Sequence, residues 1–270
     1  LGPSKEYIYG DRPNANSSKE LIEVKDYNNG EFITNYYNAE PRFSAKFDVD
    51  SVSSLKISYN RMSQYIHLMS NTAAATPLDV YSPTTNNVKP QLADQFALGY
   101  FRNFGEKLGW ETSVEGYYKA LQNQIGYIPT AELTLNDYYE GDLYSGTGRA
   151  YGSEFFLRRN EGKLTGWISL TISKTEILVD SINNGEYYNT RFDKPVVGNV
   201  VLNYEFNDRF EMSANLVYNT GAPFTTSTTN YAIQNISVSH NPEGVRNNAR
   251  VPDYHRLDLS FTIHGREEKI

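Results

Sequence analysis

The run Tyr254-His255-Arg256-Leu257-Asp258-Leu259-Ser260-Phe261-Thr262-Ile263 alternates apolar with polar residues. Successive side chains of a strand point to opposite faces, so Leu257, Leu259, Phe261 and Ile263 share one face. Arg256, Asp258, Ser260 and Thr262 share the other. The same beat recurs upstream. Phe43, Ala45, Phe47 and Val49 alternate with polar neighbours, as do Leu55, Ile57 and Tyr59. Further rows are Phe96, Leu98, Tyr100, then Trp110, Val114, Tyr118, then Tyr151, Phe155, Leu157. Leu164, Ile168, Leu170 and Ile172 follow, then Val200, Leu202 and Tyr204, then Phe210, Met212, Ala214, Leu216 and Tyr218. This predicts about nine strands, each with one oily and one polar face, and no helix.

The connections between these rows alternate strictly. Short polar turns fall at 48–51, 103–107, 159–163 and 206–209, and long polar connections at 66–92, 121–148, 176–195 and 220–252. A soluble sandwich keeps its connections short at both ends, because long unstructured loops are uncommon in compact domains. Outer-membrane β-barrels have short turns on one side, long loops on the other, and strands that are apolar outside and polar inside. Residues 148–159 and 252–264 are long enough to cross a bilayer at a tilt, which takes about 9–11 residues. Tyr65, Tyr100, Trp110, Tyr218 and Tyr254 stand near strand ends, where interfacial girdles form. The fold predicted is therefore all-β, an antiparallel transmembrane β-barrel. The rival reading, a secreted β-sandwich, is disfavoured by the loop asymmetry.

Composition removes other classes. The 270 residues carry 25 Lys and Arg against 32 Asp and Glu, a net charge of −7, which argues against a nucleic-acid surface. With no cysteine, disulfides, thiolate metal sites and cysteine nucleophiles are excluded. No run of about 18 apolar residues exists, so no transmembrane helix is expected. Tyrosine, at 22 residues, suits half-wet β surfaces. The opening Leu1-Gly2-Pro3-Ser4-Lys5 is no signal peptide, and this predicts a piece of a longer polypeptide.

Several segments resemble one family. Arg250-Val251-Pro252-Asp253-Tyr254-His255-Arg256-Leu257-Asp258-Leu259-Ser260 is similar to the late barrel strand of TonB-dependent outer-membrane receptors. Tyr218-Asn219-Thr220-Gly221-Ala222-Pro223-Phe224-Thr225 resembles the segment before it. Val88-Lys89-Pro90-Gln91-Leu92-Ala93-Asp94-Gln95, continuing to Phe104, resembles the mid-barrel hairpin. Ala150-Tyr151-Gly152-Ser153-Glu154-Phe155-Phe156-Leu157 matches the family's habit of placing Gly and Glu on the lumen side. The stretch from Asn60 to Leu68 has the flavour of Bacteroidota receptors. The resemblance spans about residues 40–264. Family barrels have roughly 22 strands around a plugged lumen. It therefore implies that residues 1–270 are a C-terminal portion of such a barrel, with the plug domain, the TonB box and the final strands outside it. Residues 265–270 read as a turn cut short.

Candidate chemistry is sparse. His67, His240, His255 and His264 show no spacing that converges three or four metal ligands, so no metal site is expected. Asp48-Val49-Asp50-Ser51 opens like a calcium loop but lacks the required Gly and closing Glu, and reads as a turn. Tyr144-Ser145-Gly146-Thr147-Gly148 has no strand–turn–helix context for a nucleophile. Glu111, Glu115 and Glu154 share the lumen face, where a wet or plug-filled interior carries such charges. The acidic, aromatic run Asn136–Asp142 reads as a solvated loop tip or as a ligand contact at the mouth. No catalytic residue and no cofactor is expected.

By resemblance, the chain belongs to an outer-membrane transport receptor that binds a scarce nutrient and is driven through TonB. A siderophore or other metal complex, an oligosaccharide and a peptide are the candidate solutes. Its partners would be outer-membrane lipids, TonB through the plug, the solute, and in some relatives a surface lipoprotein. The alternative is a barrel subunit with a docking role. Loop tyrosines Tyr138, Tyr139, Tyr187, Tyr188 and Tyr231 are the ligand contacts expected, because Tyr buries area at low entropic cost.

Overall fold

The computed structural model describes residues 4–14, 17–69, 80–105, 107, 109–128, 131, 133, 136–180, 182–234, 236–240 and 245–265. Residues 266–270, read above as a truncated turn, lie outside the described residues. In chain order the strands begin β1 (Ser4–Tyr9), β2 (Leu21–Tyr27), β3 (Arg42–Asp48), β4 (Ser53–Gln64), β5 (Ile66–Met69) and β6 (Val80–Pro83). They continue β7 (Gln91–Phe104), β8 (Trp110–Tyr127), β9 (Leu143–Arg159), β10 (Leu164–Leu178), β11 (Tyr188–Asn189) and β12 (Val196–Asn207). The last six are β13 (Phe210–Asn219), β14 (Pro223–Phe224), β15 (Thr229–Ile233), β16 (Ile236–His240), β17 (Ala249–Arg250) and β18 (Tyr254–Ile263). The described residues hold no α-helix; 3-10 turns lie at Tyr139–Asp142 and Asn183–Gly185.

Nine strands make one antiparallel meander in the order β3-β4-β7-β8-β9-β10-β12-β13-β18, with β11 beside β10. These are the nine rows read from the sequence. Because neighbours in space are neighbours along the meander, all four short turns fall at one end and all four long connections at the other. Not read in advance were the strands inside the long connections: the hairpins β5–β6 and β15–β16 and the short pairs β14–β17 and β10–β11. The β1–β2 hairpin was also missed; it docks at the loop end, where Lys19 N–H donates to Gly141 O and Asn87 Nδ2 to Tyr7 O.

Register decides which face each residue takes, since residues directly opposite in an antiparallel pair share a face. Phe47, Leu55, Tyr100, Val114, Phe155 and Leu170 stand side by side across six strands. Leu157, Ile168, Val200, Leu216 and Leu257 do so across five. On the other face the row is Lys46, Lys56, Gly99, Glu115, Glu154, Thr171 and Val197. Every oily row thus joins one continuous apolar surface.

That surface is uncovered: Leu98 and Leu259 are each 54% exposed, Ile172 56%. In a sandwich these side chains would be core. Here the buried apolar cluster of Met69, Val88, Leu133 and Leu143 sits among the loops. An apolar patch this large is not tolerated against water and fits hydrocarbon instead.

The same face is layered. Across the loop-side end runs an aromatic row, with Tyr59 against Phe96 (4.8 Å between ring centres) and Tyr118 against Tyr151 (6.4 Å). At the turn end stand Phe104 on Trp110 and the chain Tyr204, Phe206, Phe210, Phe261. From Phe96 to Phe104 is roughly 27 Å along the strand at ~3.4 Å per residue, enough for a tilted crossing of the apolar band. One step beyond the upper aromatic row the outward residues become charged. Arg61 lies 3.8 Å from Asp94, and Glu176 takes both Arg149 (2.9 Å) and Lys174 (2.5 Å). Charges at this height sit where a bilayer becomes wet.

This layering predicts a face-dependent response. In the full-length protein refolded into liposomes, Leu98→Lys should cost about 2–4 kcal/mol, the range for a lysine near the bilayer midplane. Ala97→Lys, one residue away on the polar face, should cost much less. Equal losses in a denaturant titration would show that the oily face does not meet lipid.

Candidate functional site

The long connections lie over the polar side of the sheet at the loop end and line a half-open cavity of about 650 Å³. Its wall comes from β5, the far end of β8, the 182–192 connection, β14 with Thr225, and residues 246–247, joined by Gln64, Gln91 and Ile177 at the loop ends of β4, β7 and β10. The end of β8 is re-aimed by a bulge between Leu121 and Gln124, where Asn123 takes a positive φ of 55°. A bulge inserts one unpaired residue and bends its strand. Asn123 Nδ2 fixes the bend by donating to Pro90 O at 2.7 Å. Gln124 to Ile128 then form cavity wall.

Polar groups on the wall are amides, hydroxyls and cations. Gln64, Gln91, Gln124 and Asn247 supply amides, Thr190 and Thr225 hydroxyls, and Arg191 and Arg246 charge. Aromatic wall comes from Tyr127, Tyr188, Phe192 and Phe224. Asn183 holds Arg246 at its backbone from both sides: Oδ1 accepts the Arg246 N–H (3.0 Å) and Nδ2 donates to the Arg246 carbonyl (3.1 Å). The guanidinium donates to Tyr127 O at 3.3 Å. Asn247 is tied to Thr225 and to Asn189 O.

His67, on β5, is 2% exposed, and among the described residues neither ring nitrogen has a hydrogen-bond partner. Leaving such a group unsatisfied costs on the order of 1–3 kcal/mol. Burial disfavours the imidazolium and pushes the ring below the ordinary imidazole value. Burial likewise pushes the Tyr188 phenol up to about 12, against the opposing pull of the nearby Arg246 charge.

The loops around the cavity are latched by one ion pair. Asp193, 1% exposed, holds Arg250, whose Nη1 also donates to Asp193 O and Gly221 O at 3.0 Å each. The Asp193 carboxylate accepts the Thr175 N–H at 2.7 Å, so the latch reaches the main sheet. Beside it Asp253 accepts from the Tyr218 hydroxyl (2.6 Å) and the Gly221 N–H (3.0 Å). The first of these bonds, with the second, draws its carboxyl below the usual range. Gly221 is required there: a Cβ would stand 1.6 Å from Val251 O. The two segments around Gly221 and Asp253, singled out in the sequence as motifs, meet because each completes the other's hydrogen bonds.

The five tyrosines read as ligand contacts take different places. Tyr188, on β11, lines the cavity, while Tyr187, just before that strand, stacks on Arg149 at 4.0 Å. Tyr139 shares a 2.5 Å hydrogen bond with Ser82 and packs on the buried loop cluster. Tyr138 is 50% exposed with its ring edge-on to Tyr7, and Tyr231 is 48% exposed on the β15–β16 hairpin. In the acidic run, Glu140 is buried and accepts from Thr85 Oγ1 (2.7 Å) and Asn87 Nδ2 (2.6 Å), so it clamps loops together. Glu115 and Glu154 face each other across β8 and β9 on the polar face. Among the described residues no group of three or more His, Asp or Glu is placed to hold a metal ion. His67 and Arg246 were not singled out as contacts; neither carries a motif, and only the folded loops bring them together.

No family model matches the chain, and no curated protein does. Solved structures do. The chain is similar to the ferric-catecholate import receptor Fiu of E. coli K12 (12% identity, TM-score 0.58), over 97% of this chain and 34% of that one. It is similar to the ferripyoverdine receptor of the Pseudomonas aeruginosa outer membrane (13%, 0.55), over 88% and 28%. Likeness to the FrpB iron transporter of Neisseria meningitidis (12%, 0.54) covers 84% and 32%. The chain thus spans about a third or less of each. At these identities the likeness establishes fold alone: the nine-strand meander matches part of a large antiparallel β-barrel.

Two outcomes follow from the site. Arg250→Ala leaves Asp193 buried and unpaired, which should cost about 3–5 kcal/mol locally. Hydrogen exchange of the full-length protein should then accelerate at 190–195 and 220–224, with the apolar strands unchanged. Unchanged exchange at those loops would contradict the latch. Separately, the His67 ring should titrate below about 6.5, the free imidazole value, by NMR of ring-labelled protein in micelles. Because its folded value is depressed, the stability it contributes is complete above that pH and is lost as pH falls toward the folded value. Titration at or above 6.5 would show that the ring is solvated.

Proposed function

We propose that this chain is the later part of the barrel of a TonB-dependent outer-membrane receptor that binds a scarce solute at its loop-built mouth and passes it inward. The observation that carries the reading is the cavity over the polar side of a sheet whose other side is apolar and layered for a bilayer. The named neighbours, an iron transporter, a ferripyoverdine receptor and a ferric-catecholate import receptor, support a transport role. On this reading there is no chemical step. Loops and wall supply binding, the barrel holds them rigid, and a plug ahead of residue 1, pulled through TonB, breaks the site and opens a path. The Bacteroidota affinity rests on the resemblance of residues 60–68. Tyr188 is the one of the five proposed tyrosines that lines the cavity, and so carries the greatest weight as a contact.

Accumulation of labelled solutes in cells bearing the full-length protein tests this. Ferric chelates, oligosaccharides and short peptides form the panel. At least one should accumulate in a way lost on deleting either the gene or TonB. If none does, and the protein instead purifies in a fixed complex with a surface lipoprotein, the docking-subunit reading takes its place.

A further inference from the structure

We infer that the mouth cavity is a subsite for an organic anion, whose carboxylate or phosphate oxygens meet Arg246 and whose apolar or ring portion packs on Tyr188 and Phe224. The inference rests on the receptor reading and adds the class of solute. Its first support is charge. The chain has 32 acidic against 25 basic residues, yet among the described residues the cavity wall carries two arginines and a histidine and no Asp or Glu. A wall of that sign repels cations and offers uncharged solutes nothing beyond its amides and rings.

The second support is what the arginines are doing. Elsewhere among the loops they are spent: Arg250 on Asp193, Arg149 on Glu176, Arg12 on the carbonyls of Ser17, Gly141 and Leu143. Arg246 is different. Its guanidinium has five donors, and among the described residues it makes one bond, to Tyr127 O, with no carboxylate within 4.0 Å. A part-buried cation without a counter-charge is a cost to the fold unless an anion completes it. Asn183 fixes its backbone at both polar atoms, so the group is held ready.

The third support is independent of charge. His67 lines the same cavity, nearly fully buried, with both ring nitrogens unpartnered among the described residues. Buried polar groups in native proteins are hydrogen-bonded as a rule, and exceptions mark function. A bound oxygen acceptor or hydroxyl, reached by a small shift of the ring, would satisfy it. About 650 Å³ accommodates a solute of several hundred daltons, within the usual range of ligand pockets at roughly 300–1,000 Å³.

Matched probes test the inference in the full-length protein in detergent, by calorimetry at low salt. The pairs are glucose 6-phosphate with glucose, and 4-hydroxybenzoate with 4-hydroxybenzamide. Each anion should bind more tightly than its uncharged twin by about tenfold or more, the scale of a charge-assisted hydrogen bond in a partly dry site. Arg246→Gln should abolish that difference, and Arg246→Lys should keep part of it, which separates lost charge from a collapsed loop. His67→Leu should weaken the anions while sparing the tenfold preference. The inference is overturned if twins bind alike, if no probe binds, or if discrimination survives Arg246→Gln. Should an uncharged solute bind and be accumulated through TonB, the receptor reading stands and the anion inference falls. Should the anions bind at Arg246 while accumulation ignores TonB, the reverse holds.

Discussion

Cross-strand pairing that sets an apolar residue opposite an apolar residue, strand after strand, is the constraint on which the rest of this structure depends. A slip of one residue at any pairing would carry a whole strand's oily row to the other face. Beside Phe155 and Leu170 it would put Glu154 or Thr171 into the apolar band, and beside Leu98 it would put Lys56 there. Within hydrocarbon every backbone N–H and C=O must also find its partner in the sheet, because no water can serve them. Side-chain pattern and backbone demand therefore select the same register. The rigid wall that results fixes where the loops begin.

At one end the chain turns with almost no excess: two residues, Asp208 and Arg209, separate β12 from β13. At the other it spends its length on hairpins and short paired segments, tied by polar side chains. The two ends answer to different physics. The turns need only reverse the chain in water. The loops must hold a cavity open, and they do so with buried polar anchors such as Asp193–Arg250, Asn183–Arg246 and the Glu140 clamp. Apolar burial adds to them: among the described residues Met69, Val88, Leu133 and Leu143 form one buried cluster, and Ile128, Val179 and Ile182 are buried as well. Loops so anchored are well defined and yet can be released by breaking few bonds.

All nine meander strands, and the split between short turns and long loops, were legible in the sequence because period-two alternation over Leu257–Ile263 or Leu164–Ile172 depends only on local geometry. The apolar side of each strand was legible for the same reason. What alternation could not say was whether that side met lipid or a second sheet, and the connection lengths supplied the answer. The loop strands were not legible. The β5–β6 and β15–β16 hairpins are four or five residues a side, too short for periodicity to register. The cavity was the least legible part. Tyr188 was anticipated as a sticky loop aromatic, but Tyr187, equal to it in sequence terms, turns to Arg149 on the other face. His67 sits in an ordinary strand and Arg246 in an ordinary loop, 179 positions apart, and only the folded loops make them neighbours of one cavity.

The central claim, that one face of this meander meets lipid and the other water, is open to a direct measurement. The chain has no cysteine, so single cysteines can be placed and spin-labelled without background. Labels at consecutive positions from Gln95 to Asn103 of the full-length protein, reconstituted in bilayers, would report collision with dissolved oxygen and with a water-soluble nickel complex. The account predicts that oxygen wins at Phe96, Leu98 and Tyr100, nickel wins at Gln95, Ala97 and Gly99, and the two profiles alternate out of phase. Profiles without a two-residue period, or with nickel dominant at Leu98, would contradict it.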